Sequence, residues 1–300
     1  EGVAGERLAI NLTDIKKEEI ERGMVVAKSG YFEPTDRLLI EINYLKYNEK
    51  PLKPKYICQF HVLTSRVTAE LFLLHKDKLL PGEKGYAMAR LSKPITVCHG
   101  DMFVIRGFGI YTTIGGGKIL NPHIPTFNRK YFTEDYLSLM SQGKLGDIIS
   151  IFVKENKEAG ITLESLCGLI KADFPVINES IKTLEKNNVI TKDEKGRYYH
   201  MDVVTAYKQN LLKILERFHL ENPLKMGINK DELFMRSGSC ENIFPLCLKM
   251  LVSGNRIEVK GDVIKDVNFK GDTGSDKLFE SIEEKFESYG LQSVDLEVVA

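Results

Sequence analysis

The sequence has no excess of charge of either sign, since its 300 residues contain 42 Lys and Arg against 42 Asp and Glu. No global field therefore attracts a polyanion, and contact with nucleic acid has to come from local patches. Five cysteines are scattered, odd in number and free of C-x-x-C spacing, which argues against a disulfide framework and a zinc site. No apolar run approaches the ~18 residues of a membrane span. We therefore expect a soluble protein of a reducing cytoplasm, without a bound metal.

A glycine-rich stretch, TTIGGGKILNPH at residues 112–123, lacks the pattern that a phosphate cradle requires. A P-loop reads G-x-x-x-x-G-K-[ST], whereas Lys118 is followed by isoleucine and no glycine stands five residues before Gly117. A dinucleotide fingerprint fails because Leu120 occupies its third glycine position. We predict instead that the glycines permit a positive φ at a bend or bulge between two strands, and that Pro122 ends the second strand. No cofactor is expected in this chain.

Up to about residue 120, short apolar or alternating runs are separated by Gly, Pro, Asn or Asp, which is typical of β-barrels. Gly30 and the following EPTD at 33–36 indicate a domain boundary. This boundary places one β segment over residues 1–31 and a second over 32–125. The predicted strands are RLAINL, GMVVA, DRLLIEINYL, YICQFHVL, RVTAELFLL, YAMARL, PITV, MFVIR and KIL.

After NPHIPTFNRK at residues 121–130 the apolar period becomes helical, and a similar unit occurs twice. In the first unit, residues 126–200, Thr162 can cap a short helix, a second helix spans 176–188, and VITKDEKGRYYH reads as a hairpin. Helix, turn, helix and hairpin make a winged helix. The second unit, residues 201–270, repeats this order, with Asn229 as the N-cap of KDELFMRS.

The amphipathic stretch SDKLFESIEEKFESYGL predicts the start of a third winged helix over residues 271–300. Leu278, Ile282 and Phe286 recur in it at i, i+4 and i+8. The predicted fold is therefore a multidomain β plus α/β architecture, in which β-barrels precede tandem winged-helix domains.

At this point several stretches resemble a known family. AGERLAINLTDIKKEEIERGMVVA is similar to the second half of the barrel that follows the GTPase domain in translation factors. FHVLTSRVTAELFLL, LLPGEKGYAMARLSKPITVCHGDMFVIR and TIGGGKILNPH resemble the next barrel of the selenocysteine-specific elongation factor family, and RFHLENPLKMGINKDELFMR resembles one of its winged helices. These stretches occur in the same order as in the family and cover nearly the whole chain, so together they are a more specific signal than any one of them alone.

This resemblance implies a fragment of a factor that delivers selenocysteyl-tRNA to the ribosome at recoded UGA codons and reaches a selenoprotein mRNA hairpin through winged helices. It implies a monomer without membrane contact. GTP and Mg²⁺ belong to the family's GTPase domain. This sequence has neither a P-loop nor an N-K-x-D motif, since NKDE at 229–232 has the wrong fourth residue. We therefore expect the chain alone not to hydrolyse GTP, and its own part in mRNA recognition stays open.

Arg7 falls where the family's barrel motif places an arginine of the aminoacyl pocket. A selenol is largely ionised at neutral pH, so it can accept charge-assisted hydrogen bonds from a guanidinium. A neutral cysteine thiol would gain less from the same donors. The alternative is an exposed arginine on a strand.

His61 and Arg66 lie in a stretch that resembles the tRNA-facing barrel, where cations contact phosphates and sugars. The alternative is a partly buried histidine with a backbone partner beside a solvated arginine.

A second function class, a winged-helix DNA-binding regulator with a β sensor domain, needs strongly basic recognition helices. The two candidate helices carry Lys182, Lys186 and Lys249, but Glu179 and Glu185 accompany the first pair. Neither helix is a convincing major-groove reader. The weakly basic surfaces of these two helices are better explained by a spacer role, in which they separate the tRNA-binding barrels from a distant RNA-binding tip.

Overall fold

A computed structural model describes residues 3, 6–13, 15–107, 112–124, 126–238 and 240–269. The third winged helix predicted over 271–300 lies outside these residues. The chain forms two compact units. One comprises Glu1–Phe152 with Thr162–Leu184, and the other comprises Val153–Ile161 with Glu185–Ala300. No helix in the described ranges combines the length and the apolar composition that crossing a membrane would take.

The described residues before position 32 contain one short 3₁₀ helix, Lys17–Glu19, and no strand. The strands predicted at RLAINL and GMVVA are therefore wrong. Their apolar side chains are exposed, with Ile10 at 60% and Val26 at 67%. A strand needs a neighbour to bond its backbone groups, and no strand of the described residues pairs with this segment. The assignment of residues 1–31 to the end of another barrel stays a prediction.

Six antiparallel strands form a closed barrel. They are β1 Thr35–Tyr44, β2 Lys55–Val62, β3 Ser65–Leu74, β4 Lys84–Ile95, β5 Met102–Gly107 and β6 Thr113–Asn121, in the spatial order β1-β4-β3-β2-β5-β6. Inward positions alternate with outward ones, as in β5, so the barrel interior is filled by apolar side chains. The predicted run YAMARL and the start of PITV belong to one long strand, β4.

The three glycines lie inside β6, and the predicted bend with positive φ is wrong. Gly115, Gly116 and Gly117 pair with both β1 and β5, and none has a positive φ. A Cβ on Gly116 would lie 2.6 Å from the carbonyl oxygen of Phe103, so the glycines permit close approach of neighbouring strands. A register shift between Ile105 and Arg106 is the irregularity beside them.

The first winged-helix region contains the predicted elements and two helices that the sequence interpretation missed. The missed helices are α1 Glu134–Gln142 and α2 Leu145–Glu155. The confirmed elements are α3 Leu163–Leu169, α4 Phe174–Lys186, β8 Ile190–Lys192 and β9 Arg197–His200. A two-residue strand that was not predicted, β7 Ile161–Thr162, completes a sheet of order β7-β9-β8. Thr162 is the N-cap of α3, because its hydroxyl accepts from the backbone N–H of Ser165. Helix α4 begins two residues before the predicted start.

The second winged helix is confirmed as well. Its elements are α5 Met201–Glu221, β10 Ile228–Asn229, α6 Lys230–Arg236, α7 Ile243–Ser253, β11 Ile257–Lys260 and β12 Val263–Asp266, with sheet order β10-β12-β11. Asn229 caps α6 through its side-chain oxygen, which accepts from the N–H of Asp231. Ile243, Cys247 and Leu251 form the buried face of α7. The boundaries that the sequence predicts between domains stay predictions.

Candidate nucleic-acid interface on the barrel

His61 and Arg66, which the sequence singled out separately, face each other on the outside of the barrel. His61 on β2 is opposite Arg66 on β3 and opposite Val104 on β5. The side chains of Phe60 and Val62, on either side of His61, point into the core. Because successive side chains of a strand point to opposite faces, His61 has to point outward. The barrel therefore brings two of the predicted site residues together.

Two further arginines join this pair. Burial lowers the pKa of His61, and the charges of Arg106, Arg66 and Arg22 lower it further. Arg106 on β5 is opposite Gln59 on β2. We call the four residues Arg22, His61, Arg66 and Arg106 the cationic patch. With a lowered pKa, His61 is neutral at neutral pH and can donate or accept a hydrogen bond.

Hydrogen bonds position two of the guanidiniums. Arg66 donates from Nε to Oε1 of Gln59 at 3.2 Å, and Gln59 contacts the Thr68 hydroxyl at 3.5 Å. Arg22 donates from Nε to the carbonyl oxygen of Thr64, in the turn between β2 and β3, at 3.1 Å. Because Nε of each side chain is already held by a hydrogen bond, the guanidinium group loses less conformational entropy when its terminal nitrogens bind an anion.

The cationic patch has no internal counter-charge. Within the described ranges, no carboxylate oxygen lies within 4.0 Å of a guanidinium nitrogen of Arg22, Arg66 or Arg106. Elsewhere on the same sheet face, by contrast, Glu70 pairs with Lys55 at 2.8 Å and with Arg90 at 3.9 Å. The arginines of the cationic patch are exposed. Such a surface suits phosphate oxygens, which accept charge-assisted bonds from arginine.

Sequence reasoning missed Arg22 and Arg106. The outward alternation of MFVIR signals that Met102, Val104 and Arg106 share one face. It does not show that this face adjoins His61. That depends on the pairing of β5 with β2, which lies more than 30 residues earlier in the chain. Arg22 lies in a segment without regular structure, so no pattern could place it.

The structure does not connect Arg7 to the cationic patch. It is exposed and belongs to residues 6–13, which form neither helix nor strand. No hydrogen bond or ion pair between described residues connects it to the cationic patch. Its role in an aminoacyl pocket stays a prediction.

The candidate recognition helices present little free positive charge. Lys249 on α7 pairs with Glu194 in the β8–β9 turn at 2.7 Å. Its exposed neighbours on α7 include Pro245 and Val252. On α4, Lys182 and Lys186 are exposed, and Glu179 is exposed beside them. Neither helix has the surface of a major-groove reader.

Cys98 and His99, which could suggest a metal site, are bonded to the backbone. Nδ1 of His99 lies 2.6 Å from the carbonyl oxygen of Leu120, and the Cys98 thiol donates to the carbonyl of Gly168 at 3.3 Å. Burial raises the pKa of Cys98 to about 11, which keeps it a thiol. In the part of the chain that the structure describes, no group of three or more potential ligands is placed to hold a metal.

Comparisons with known proteins point to one family. The family model described as the β-barrel domain of the selenocysteine-specific elongation factor matches residues 35–126, and one described as the winged helix of elongation factor SelB matches residues 212–265. Relatives named selenocysteine-specific elongation factor are 25% identical over 269 residues in Desulfomicrobium baculatum and 23% over 239 residues in Haemophilus influenzae. These alignments cover 87% and 78% of this chain, but only 42% and 36% of the relatives.

A solved structure supports the fold. The crystal structure of a bacterial selenocysteine-specific elongation factor, EF-Sec, superposes with a TM-score of 0.62 at 17% identity, over 93% of this chain and 42% of that protein. The chain thus spans less than half the length of these proteins. The matches favour the elongation-factor interpretation over a DNA-binding regulator, for which the recognition helices are also not basic enough.

Proposed function

We propose that this chain, which belongs to the family of selenocysteine-specific elongation factors and corresponds to a C-terminal portion of them, binds tRNA through its barrel. The whole factor would deliver selenocysteyl-tRNA to the ribosome at recoded UGA codons. GTP and Mg²⁺ would act in a GTPase domain whose motifs this sequence does not contain. We propose a cytoplasmic monomer, which meets a selenoprotein mRNA hairpin through winged helices.

The cationic patch is the observation that carries this proposal. The chain has no net charge, so general attraction to RNA is weak and binding depends on local donors. Arg22, Arg66 and Arg106 supply such donors without competing carboxylates, and neutral His61 can bond a phosphate or a ribose hydroxyl. Contacts of this kind position a tRNA without reading its sequence.

The winged helices present here fit a spacer role. The C-terminal end of α3 is joined to the barrel loop between β4 and β5, where the N–H of His99 donates to the carbonyl of Leu169 at 2.7 Å. Lys171 donates from its N–H to the carbonyl of His99 at 3.1 Å, and its ammonium pairs with the buried Asp101 at 3.1 Å. Backbone bonds and a partly buried ion pair hold such a junction in one geometry, as a spacer requires.

Binding of a fluorescently labelled selenocysteine tRNA transcript to the whole chain tests the barrel surface. Arg66→Ala and Arg106→Ala should each weaken binding and each lower the slope of log K against log salt by about 1, because each removes one phosphate contact. Arg37→Ala is the matched control, since Arg37 is an exposed barrel arginine on β1 that already lies 3.8 Å from Asp36. Equal losses for all three variants, or none, would remove the cationic patch from the proposal.

Arg7 is tested in the protein rejoined to a GTPase domain. If its guanidinium pairs with the selenolate, Arg7→Ala should weaken binding of selenocysteyl-tRNA by about 1.5–3 kcal/mol. Binding of the same tRNA charged with serine should change much less, because a neutral hydroxyl gains little from that cation. Arg7→Lys keeps the charge without the planar fork and should give an intermediate loss. Equal losses for both aminoacyl forms would mean that Arg7 contacts the tRNA backbone or supports the barrel.

A further inference from the structure

Two long loops meet at one end of the barrel. The loop between β1 and β2 pairs with the loop between β3 and β4 through Leu52 and Leu79, which exchange two backbone hydrogen bonds of 2.9 and 3.0 Å. We call residues 45–55 and 75–84 the lysine-rich loop pair. Strand β2 leaves it at Lys55 and reaches His61 about 20 Å further along. The loop pair is therefore separate from the cationic patch, and the tRNA proposal does not use it.

Hydrogen bonds and burial hold these loops in a defined shape. The hydroxyl of Tyr44 donates to the carbonyl of Lys50 at 2.8 Å. The side-chain amide of Asn48 donates to the carbonyls of Leu45 and Ile114, each at 2.7 Å. The two leucines that join the loops are buried beneath them. An ordered loop loses less conformational entropy when it binds a partner than a flexible loop does.

The loop pair concentrates positive charge in a chain without net charge. It contains seven lysines and three acidic residues, Lys46, Lys50, Lys53, Lys55, Lys76, Lys78 and Lys84 against Glu49, Asp77 and Glu83. Lys55 pairs with Glu70, and Lys76 pairs with Glu83. The other five lysines are exposed and form no ion pair with a described carboxylate. Even with two acidic side chains among them, they leave a local excess of positive charge that attracts a polyanion.

An exposed tyrosine lies among these lysines. Tyr47 is 81% exposed, whereas Tyr44 at the end of β1 is 7% exposed. The ammonium of Lys46 lies 5.1 Å from the centroid of the Tyr47 ring, which is a cation–π distance. Such an exposed ring can stack on a base, and stacking tolerates any base because every base has a π face. Lysines around an exposed aromatic ring suit unpaired nucleic acid better than a duplex, whose bases are already stacked on one another.

We propose that the lysine-rich loop pair binds a single-stranded or looped segment of RNA. An unpaired base stacks on Tyr47, and phosphates lie near Lys50 and Lys78. These contacts carry little sequence information, so the segment is recognised by its backbone and its unstacked base. The choice of RNA over DNA rests on the proposed function, whereas the binding surface itself does not depend on the cationic patch.

Binding of the whole chain to a fluorescently labelled single-stranded RNA of about 12 nucleotides tests this proposal. The chain carries Arg66→Ala and Arg106→Ala, so that the loop pair is measured without the cationic patch. Tyr47→Ala should weaken binding about fivefold or more, the lower limit for loss of one base–aromatic stack. Tyr47→Phe keeps the ring and should bind like the parent chain. A duplex of the same RNA should be insensitive to Tyr47→Ala, because its bases are not free to stack.

The lysines are tested through the salt dependence of the same binding. Replacing both Lys50 and Lys78 by alanine should lower the slope of log K against log salt by about 1.4, since a single strand contributes about 0.7 for each phosphate contact. Lys213→Ala is the matched control, because Lys213 is an exposed lysine of the second winged helix. It should leave the slope unchanged.

Three results would overturn the proposal. These are equal binding by the Tyr47→Ala and Tyr47→Phe chains, equal salt slopes for the loop variant and the Lys213→Ala control, and tighter binding to vesicles of anionic phospholipid than to the RNA. Displacement of the probe by an unlabelled selenocysteine tRNA transcript would support a tRNA loop as the source of the segment, and no displacement would support another RNA. If the cationic patch proves not to bind tRNA, the Tyr47 result still stands or falls by itself.

Discussion

Replacement of Gly116 by alanine tests the close approach of strands that β6 permits. The backbone of Gly116 has no positive φ, so alanine can adopt its conformation. The obstacle is β5, because an added Cβ would lie 2.6 Å from the carbonyl oxygen of Phe103 and 3.5 Å from the Cα of Val104. Both are backbone atoms of a hydrogen-bonded strand, so no side chain can rotate away to make room.

The magnitude follows from this geometry. Ordinary contact begins at 3.4 Å, so β5 and β6 would have to separate by about 0.8 Å, which is 3.4 minus 2.6. A ladder bond of ~2.9 Å would stretch to about 3.7 Å, beyond hydrogen-bonding distance. Loss of two or three such bonds at ~1 kcal/mol each outweighs the gain of about 0.4–1 kcal/mol from a stiffer unfolded chain. We expect a net destabilisation of about 2 kcal/mol, or about 4–8 °C in Tm.

Thermal unfolding monitored by circular dichroism and calorimetry measures the effect. Gly146→Ala is the control, because a Cβ there would meet only Cδ2 of Leu184 at 3.9 Å, and alanine in α2 should stabilise by up to about 1 kcal/mol. Gly117→Ala should be more damaging than Gly116→Ala, since its Cβ would overlap the carbonyl of Glu41. Wild-type stability of Gly116→Ala would refute the argument that glycine is required for strand approach.

Three further predictions concern pH, capping and catalysis. Burial lowers the pKa of His99 and of His219, so the folded protein favours their neutral form. Their contribution to stability is therefore complete above the ordinary histidine pKa of about 6.5 and is lost as the pH falls through the lowered pKa values. Denaturant titrations between about pH 7.5 and 5 should show this loss, and His99→Gln should reduce it; a pH-independent wild type would contradict it. Thr162→Ala should destabilise α3 by about 1 kcal/mol in denaturant unfolding, whereas the exposed Thr183→Ala should not. The chain alone should release phosphate from GTP at background rate, and turnover that survives repurification would disprove this.

Local patterns predicted much of this structure. Alternation and turn residues located five of the six barrel strands, β4 as two separate runs, and only the end of β6. The capping residues Thr162 and Asn229 were identified because a cap acts within three residues of sequence. Helices α1 and α2 were missed even though α1 has its own cap, Thr133. The strands predicted before residue 32 were wrong. An alternating pattern shows that a segment can pair as a strand, but it does not show that a partner strand is present.

The sequence by itself determined the class and order of most elements and the absence of nucleotide-binding motifs from its 300 residues, since each depends on neighbouring residues. It also indicated that His61 and Arg66 deserved testing. Only the tertiary structure decided that Arg106 lies beside them, that Gly116 faces a carbonyl of β5, and that Nδ1 of the buried His219 has no hydrogen-bond partner among the described residues. Each of these depends on strand register or on packing between distant segments, where one residue of slip would send every side chain to the opposite face.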